Sequence, residues 1–489
     1  MAIRRRTTLP VAAIMSSALI VAACGSSSNP AAGPTSTGSA SAGSSPNCQN
    51  IPCAGEINGA KFLIELPNQW NGTLLVWNHG LRLDPPPPVP DAKPADTYAP
   101  DGPSKSPNDR SVVGPLLDQG YALAGSAYSQ QNWAVPVAVP EANDLYNYFV
   151  EHVGLPKRTY VWGESLGGLI TELVAEQYPW VTAAAPQCGV LAGTNMTMDL
   201  ALDGAFGLQQ LLLPNLQING YADSQQAAAA FTQVYNLVTQ SAKTLNKENL
   251  GKLLTVASIV DATTKTTTAD GANTASKLQA QAEALLTGLG FGTLGRANIE
   301  SQVGGNFSTN EQATYANRVT AAEKQQIDAF GGPGSANEWL SQLDQAKRVQ
   351  FEQAPRVTAN TKMGNPTGVL KVPTITLHTE YDPAVPVYEE SVFKQRVSDN
   401  GKTNSLVQLY TKPPASYQTA PYGAGHCNFT ATERLALIQL LDGWVSSGNK
   451  PTNEQIQTAF KKPTGLDLTY TPPPWPALPP EPISQPGQT

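Results

Sequence analysis

Short apolar runs alternate along the chain with stretches in which apolar residues recur at helical spacing. The runs are rich in Val, Leu, Ile and Ala, which is typical of strands that are buried on both faces of a sheet. We predict strands over residues 61–66, 73–78, 121–127, 159–163, 182–188, 371–378 and 405–411. Helices are predicted between them, for example over 141–153, where Leu145, Tyr148, Phe149 and Val153 share one face. This order predicts an α/β fold: a doubly wound, mostly parallel sheet with its ligand site at the carboxyl ends of the strands.

The alternation is interrupted between the strands at 182–188 and 371–378, which lie much further apart than one crossover helix requires. Residues 195–365 are rich in Ala, Gln, Thr and Leu and lack the alternation of a strand, so we expect an inserted, mostly helical lid. The first segment of this lid is strongly apolar, with Met196, Met198, Leu200, Leu202, Phe206, Leu208 and Leu211–Leu213. Such residues fit either an acyl-binding wall or a helix that packs into its own core.

The sequence Gly163-Glu164-Ser165-Leu166-Gly167 follows a predicted strand directly and precedes a helical pattern. A G-x-S-x-G motif in this setting is typical of the nucleophile elbow of serine hydrolases. Glycines are needed at 163 and 167 because side chains there would collide with the backbone of so tight a turn. We expect Ser165 to take a strained conformation that exposes its hydroxyl, and the following helix to point its N-terminus at that hydroxyl.

Three further motifs accompany the elbow: His79-Gly80 after an early strand, Tyr381-Asp382-Pro383 after a late strand, and Gly425-His426-Cys427. With the elbow, they make the chain resemble the α/β-hydrolase superfamily, and within it the secreted or lipid-anchored actinobacterial hydrolases of esterase type. The resemblance covers roughly residues 57–195 and 366–446. It implies an α/β-hydrolase fold that acts without a cofactor.

The superfamily places its acid and its histidine after the serine, in that order. Of the four histidines, His79 and His152 precede Ser165, and His378 lies within a predicted strand. His426 is left, in a glycine-rich loop that precedes a helix.

The acid is expected just after the strand at 371–378. We choose Asp382, because Pro383 ends any helix there and holds the carboxylate at the end of the strand, with Glu380 as the alternative. In this hypothesis Ser165 attacks, His426 takes and returns the proton, and Asp382 orients the imidazole.

The oxyanion hole also has candidate residues. One donor is the backbone N–H of Leu166, directly after the nucleophile, and the other is the N–H of Leu81 in the loop after an early strand. Gly80 allows a close approach there, and His79 is expected to support the loop rather than to transfer a proton.

Substrate contacts are expected at Gly80 and in the loop after the strand that ends at Ala127. Tyr128 and Trp133 lie in that loop, where they either line the cleft or only pack against it.

Composition agrees with a globular enzyme. The chain has 489 residues, of which 40% are hydrophobic and 14% charged, and a net charge of −7. This acidic balance provides no basic surface for nucleic acid. The resemblance to esterases implies that the partner is a small-molecule or lipid-like ester.

The N-terminus carries a targeting pattern. Arg4-Arg5-Arg6 and the apolar run 9–23 form a signal peptide over residues 1–23, too short for a comfortable membrane span. It ends in Val21-Ala22-Ala23-Cys24-Gly25, which resembles a bacterial lipobox and implies that lipid on Cys24 anchors the exported protein to the membrane. A plain secretory signal is the alternative. Residues 24–56 are expected to form a flexible Ser/Gly/Pro-rich tether.

Four cysteines remain besides Cys24, an even number that favours two disulfides outside the cytoplasm. We pair Cys48 with Cys53 and Cys188 with Cys427, the latter bracing the histidine loop; two separate buried thiols at 188 and 427 are the alternative. The spacings of structural zinc sites are absent, so no metal is expected.

The predicted organisation is a hydrolase core over 57–194 and 366–446, with the lid over 195–365 and a Pro-rich tail over 447–489. The favoured function is hydrolysis of carboxylic esters through an acyl-serine. The same scaffold also serves serine peptidases (exopeptidases or prolyl-oligopeptidase-like enzymes) and acyltransferases. A non-catalytic surface lipoprotein is the alternative from another class, but it predicts a broken triad, whereas every member is present in order.

Overall fold

A computed structural model describes residues 53–84, 88, 110–244, 246–262, 274–412, 425–461 and 464–475. The predicted signal peptide, the lipidation site Cys24 and the cysteine expected to pair with Cys53, Cys48, lie outside these ranges.

An eight-stranded sheet forms the centre of the fold, in the order β1-β2-β4-β3-β5-β6-β7-β8. The strands are β1 (Cys53–Ile57), β2 (Ala60–Glu65), β3 (Thr73–Asn78), β4 (Ala122–Ser126), β5 (Arg158–Glu164), β6 (Ala183–Gln187), β7 (Thr374–Thr379) and β8 (Leu406–Thr411). Strands β3 to β8 pair in parallel, whereas β1 pairs with β2, and β2 with β4, in antiparallel fashion. The strand order reverses beside β3 and β5, which directs the loops after these strands towards one crevice.

Helices cover both faces of the sheet. The helices are α1 (Arg110–Asp118), α2 (Val135–His152), α3 (Leu166–Gln177), α4 (Gly193–Leu211), α5 (Ser224–Thr244), α6 (Lys247–Ile259), α7 (Thr274–Gly290), α8 (Arg296–Val303), α9 (Ala321–Gly331), α10 (Ser335–Gln345), α11 (Gln353–Lys362), α12 (Glu389–Asp399), α13 (Ala431–Ser447) and α14 (Asn453–Ala459). A π-helical turn at Phe291–Gly295 joins α7 to α8, and short 3₁₀ turns lie at Tyr315–Asn317 and Thr403–Ser405.

Strand residues alternate between two cores, as the pleat of a sheet requires. Leu74 and Val76 of β3 pack with α2 and α3, whereas Leu75 and Trp77 pack with α1 and α13 on the opposite face. Each of the six residues of β3 is buried, and its four central residues are apolar, so the strand does not alternate between apolar and polar residues. This arrangement confirms the expected α/β-hydrolase fold with a doubly wound, mostly parallel sheet.

The first strand corrects the expected tether. Residues 53–56, assigned to the tether, belong to β1, which pairs with β2. Asn58 and Gly59 form the turn between them with φ of 51° and 88°. Asn-Gly is the pair that tight hairpin turns favour, because both residues tolerate a positive φ.

The segment between β6 and β7 is helical, as expected. This helical insertion runs from α4 to α11. Most of the apolar side chains of α4 pack inside it: Leu202, Phe206, Leu208 and Leu211 share a core with α6, α7 and α10. Packing therefore accounts for most of the apolar first segment. None of the described helices is long and apolar enough to cross a bilayer.

Candidate active site

Ser165 occupies a strained turn between β5 and α3. Its backbone has φ 58° and ψ −126°, in a region that non-glycine residues rarely adopt. A Cβ at Gly163 would lie 2.3 Å from the Asn78 carbonyl oxygen, and one at Gly167 would lie 2.1 Å from the same atom. The steric reason given above for glycines at 163 and 167 therefore holds in the structure.

The loop after β3 approaches the serine closely. A Cβ on Gly80 would lie 3.1 Å from the Ser165 Cβ and 3.7 Å from its Oγ. The ring nitrogen Nδ1 of His79 lies 2.7 Å from the Gly80 carbonyl oxygen. Because a carbonyl oxygen only accepts hydrogen bonds, Nδ1 carries the proton and donates it. In a trans peptide the N–H points away from the carbonyl oxygen, so the Leu81 N–H is directed away from the imidazole.

His79 is held neutral in this position. Burial, and then the positive charge of Arg82, lower its pKa to about 3. Its ring stacks on Tyr128 with centroids 4.0 Å apart, and the Tyr128 hydroxyl donates to the His79 carbonyl oxygen at 3.4 Å. Within the described part of the chain, His79 Nε2 has no hydrogen-bond partner. A neutral, buried imidazole of this kind serves to shape the loop.

His426 lies directly against Asp382. Its Nδ1 is 2.8 Å from Asp382 Oδ2 and 2.9 Å from Oδ1. The carboxylate also accepts the N–H groups of Ala384, Val385 and Cys427 at 2.9–3.1 Å. Burial alone would raise the pKa of Asp382, but His426 and these donors hold it below its ordinary value. An ionised carboxylate in this position stabilises a protonated imidazole.

A disulfide joins Cys427, the residue after His426, to Cys188, the residue after β6. The expected bridge is therefore present in place of two separate thiols. Gln187, next to Cys188, accepts the Ser165 N–H at 3.0 Å. The histidine loop and the serine turn are thus attached to the same strand end.

The sulfur of Cys427 lies beside the His426 ring, 3.4 Å from Nε2 and 3.7 Å from Nδ1. Because the sulfur is almost equally far from both nitrogens, it does not lie on the in-plane axis of the Nε2 lone pair. The Nε2 lone pair therefore does not point at the disulfide. The His426 side chain is 19% exposed, which leaves it access to a substrate.

Glu380, the alternative acid, turns away from this histidine. Burial, and then the negative charge of Asp467 in the C-terminal segment, raise its pKa to about 7. Tyr470 of the same segment donates to the Glu380 carbonyl oxygen at 3.2 Å. His378, excluded above as the base, is fully buried with Nε2 2.9 Å from the Val385 carbonyl oxygen.

The two aromatic residues expected beside the cleft are packing residues. Tyr128 is buried beneath His79. Trp133 is buried as well, and its indole N–H donates to Thr194 Oγ1 at 3.0 Å and to the Met363 carbonyl oxygen at 3.3 Å. Both rings are buried, so the structure favours packing over substrate contact for each of them. The hydrogen bonds of Trp133 attach the helical insertion to the core.

One contact of the elbow has no signal in the sequence. The Glu164 carboxylate forms an ion pair with Arg434 of α13. The pair connects the residue before Ser165 with the helix that follows His426. Glutamate at the variable position of the motif indicates nothing by itself, and Arg434 lies far away along the chain.

The described residues include one group that approaches metal-ligand geometry. Ligand atoms of Cys188, Asp382, His426 and Cys427 lie within 4.8 Å of one another. Both sulfurs belong to the disulfide, so neither is available as the thiolate that binds zinc. This donor set does not fit a zinc ion while the bridge is formed.

No protein-family model matches the chain. The chain is 23% identical over 436 residues to the o-phthalyl amidase of Xanthobacter agilis, covering 81% of this chain and 87% of that relative. The fold is that of an α/β-hydrolase.

Solved structures with similarity to this chain include hydrolases. The acylaminoacyl peptidase of Pyrococcus horikoshii matches 82% of this chain and 42% of its own, at 9% identity and a TM-score of 0.39. The match to the rice cell wall degrading esterase LipA from Xanthomonas oryzae covers 74% of this chain and 80% of LipA, at 14% identity and a TM-score of 0.33. The match to Est1E from Butyrivibrio proteoclasticus covers 82% of this chain and 98% of Est1E, at 12% identity and a TM-score of 0.32. Likenesses at TM-scores this low carry no information about activity.

Proposed function

We propose that this chain is a serine hydrolase that cleaves carboxylic esters through an acyl-serine intermediate, with Ser165, His426 and Asp382 as its triad. The observation that carries the proposal is the His426–Asp382 pair, Nδ1 to Oδ2 2.8 Å, attached through a disulfide to the strand end that bonds the Ser165 N–H. Nucleophile, base and orienting acid are the three parts that acyl transfer to a serine requires.

The base follows from the tautomer of His426. Because Asp382 accepts the proton of Nδ1, Nε2 is left to take the proton of the Ser165 hydroxyl. Oγ then adds to the ester carbonyl, and the imidazolium gives its proton to the leaving alkoxide as the carbon–oxygen bond breaks. Water repeats the cycle on the acyl-serine: it loses a proton to His426, adds to the carbonyl, and releases the acid and the free serine.

The oxyanion of each tetrahedral intermediate is assigned to two backbone donors. The first N–H groups of α3, including that of Leu166, have no acceptor within the helix. The Leu81 N–H is directed by the His79–Gly80 hydrogen bond. Removing one such donor from an enzyme typically lowers kcat about 10²–10³-fold.

Hydrolysis of an amide is the second candidate, because the chain resembles an o-phthalyl amidase over most of the length of both proteins. The same three groups perform both reactions, and the difference lies in the leaving group that His426 protonates. An amine is the poorer leaving group, so the same catalytic set cleaves activated esters more readily than amides.

Matched substrates separate these candidates. Turnover of 4-nitrophenyl acetate and of 4-nitroacetanilide is measured with the wild type, with Ser165→Ala and, for an exposed control serine in α10, with Ser341→Ala. Ester turnover that disappears only in Ser165→Ala, without turnover of the anilide, supports the proposal. Turnover of the anilide that also disappears in Ser165→Ala would replace the esterase by an amidase, and turnover of either substrate that survives Ser165→Ala would contradict both.

We also propose that the protein is exported and anchored through lipid on Cys24. The disulfide at 188 and 427 supports this location, since such bonds persist outside the reducing cytoplasm. Incorporation of a labelled fatty acid into the wild type but not into Cys24→Ser tests it. Equal labelling of both would contradict the anchor.

A further inference from the structure

A pocket of about 70 Å³ lies between the helical insertion and the loop that follows β7. Its walls include Leu200 of α4, Leu289 of α7, and Pro383 and Pro386 of the loop. A cavity of about 150 Å³ holds one benzene molecule, so this pocket has room for about three non-hydrogen atoms. Among the apolar residues of α4 expected to form an acyl-binding wall, Leu200 is the one that lines it.

The lining of the pocket is apolar but carries negative charge. Asp261, Asp382 and Glu389 contribute carboxyl groups, and Phe291 and Tyr388 contribute aromatic rings. No lysine, arginine or histidine lines the pocket in the part of the chain that the structure describes. Carboxylates and aromatic faces both attract cations, and a carboxylate without a cation nearby repels an anion.

Asp261 differs from the other two carboxyl groups, whose oxygens accept hydrogen bonds from the protein. Asp382 is bound to His426, and Glu389 accepts the Ala192 N–H at 2.6 Å and the Thr197 hydroxyl at 2.7 Å. Asp261 is exposed, and within the described residues its carboxylate accepts no hydrogen bond. Burial of the carboxyl group, and then the charge of Glu323, raise its pKa to about 6, so that it is mainly ionised at pH 7, whereas burial raises the pKa of Glu389 to about 7. It therefore stands at the mouth of the pocket with its charge available to a ligand.

Asp382 fixes the position of the pocket relative to the chemistry. The same residue lines the pocket and holds His426. In the proposed mechanism His426 protonates the leaving group, so the leaving group lies on the histidine side of the scissile bond. The pocket borders Asp382, the partner of His426, whereas Gly80 approaches Ser165 from the loop after β3.

We propose that this pocket binds the terminal group of the leaving alcohol or amine and selects a compact cationic group over a neutral one, and a neutral group over an anion. The inference rests on the proposed function, since it needs a leaving group. It goes beyond that function by naming the leaving group.

Three acetate esters of the form acetyl–O–CH₂–CH₂–X test the selection by charge. In 2-(dimethylamino)ethyl acetate X is cationic, in 3-methylbutyl acetate X is neutral, and in 3-acetoxypropanoate X is anionic. Each X has three non-hydrogen atoms, so charge is the main difference. At pH 7 we expect kcat/KM to fall about tenfold at each step from cation to neutral to anion, as one partly screened charge provides.

Two variants place this selectivity in the pocket. Asp261→Asn should reduce the ratio of cation to anion about tenfold, whereas Asp118→Asn, an exposed aspartate at the end of α1, should not. Gly288 of α7 lines the pocket, and a Cβ there meets nothing within 4 Å. Gly288→Leu should therefore fill the pocket and lower the kcat/KM ratio of 3-methylbutyl acetate to methyl acetate about tenfold.

Gly443→Leu is the matched control for Gly288→Leu. Gly443 lies within α13, and a Cβ there also meets nothing within 4 Å, so both changes have the same effect on helix propensity. If Asp261→Asn and Gly288→Leu change no ratio, the pocket inference is overturned and the serine-hydrolase proposal stands. Labelling of Ser165 without turnover of any ester overturns the inference as well. Absence of both labelling and turnover overturns the two proposals together.

Discussion

Cys427 and Cys188 are joined by a disulfide whose Cα atoms lie 5.4 Å apart, although the two residues are separated by 239 positions. The bond connects the neighbour of His426 with the neighbour of Gln187, which accepts the Ser165 N–H. Both residues have a positive φ, 39° for Cys188 and 50° for Cys427. A strained backbone at both ends is maintained when the surrounding structure determines the conformation. The bridge is thus part of what holds the histidine loop at the site.

Removal of this bridge should lower both stability and activity. The double variant Cys188→Ala/Cys427→Ala should have a free energy of unfolding roughly 2–5 kcal/mol lower than the wild type, because the disulfide closes a long loop in the unfolded chain. We also expect kcat to fall, because the His426 loop loses its attachment to β6. Thermal unfolding and steady-state kinetics are measured with and without a phosphine reductant. The reductant should lower the activity and the Tm of the wild type more than those of the double variant, which keeps only the predicted Cys48–Cys53 bridge. A wild type that keeps its activity and Tm when fully reduced would show that the bridge positions nothing.

Asp382→Asn should lower kcat about 10³–10⁴-fold, because an amide can impose the wrong tautomer on the imidazole. Glu380→Gln is the matched control: it removes the other acid of the same loop, and activity should change less than about tenfold. Ester hydrolysis is followed for both variants at one pH. A large loss for Glu380→Gln with little loss for Asp382→Asn would reverse the assignment of the acid.

Glu380 should make stability depend on pH. Its pKa is raised to about 7 in the folded protein, so the folded state binds the proton more tightly than the unfolded chain. Its contribution is complete below the ordinary pKa of a glutamate and is lost as the pH rises through about 7. Glu380→Gln should therefore lose less stability than the wild type between pH 5 and about pH 8. Denaturant unfolding at the two values tests this, and identical changes in both proteins would exclude Glu380 as the source.

His79→Ala should lower kcat roughly 10–100-fold with a smaller change in KM, because the Gly80 carbonyl loses its donor and the Leu81 N–H its fixed direction. Since the pKa of His79 is about 3, the variant should keep the shape of the pH–rate profile above pH ~5. His152→Ala, at the end of α2, is the control histidine. A lost limb of the profile in His79→Ala would instead indicate that His79 titrates during catalysis.

Local patterns were sufficient for the sheet and for the elbow. The apolar runs predicted seven of the eight strands of the described sheet. Six of these are parallel strands, which are continuous in hydrophobicity when both faces are buried. The eighth, β1, is short and half exposed, with the burial of its residues alternating along it, so its only signal is the turn at Asn58-Gly59. Ser165 was predictable because steric constraints at Gly163 and Gly167 act within five residues of sequence.

Contacts between distant segments could not be predicted in the same way. Asp382 and Glu380 are both carboxylates in one loop, and only the fold turns Glu380 towards Asp467 and Asp382 towards His426. Trp133 is predicted beside the cleft, but its indole N–H donates a hydrogen bond to Thr194 Oγ1. No periodicity in the sequence indicates that contact. The pocket beside Asp382 also depends on how the insertion packs over the loop.

The reaction of Ser165 with a fluorophosphonate tests the central claim most directly. The soluble protein starting after Cys24 is incubated with the probe, digested and mapped by mass spectrometry, with Ser165→Ala and heat-denatured wild type as controls. The account predicts one adduct, on Ser165, that is absent from both controls and forms at the rate at which ester turnover is lost. An adduct on another residue, or none while the protein is folded, would contradict an activated serine at this site.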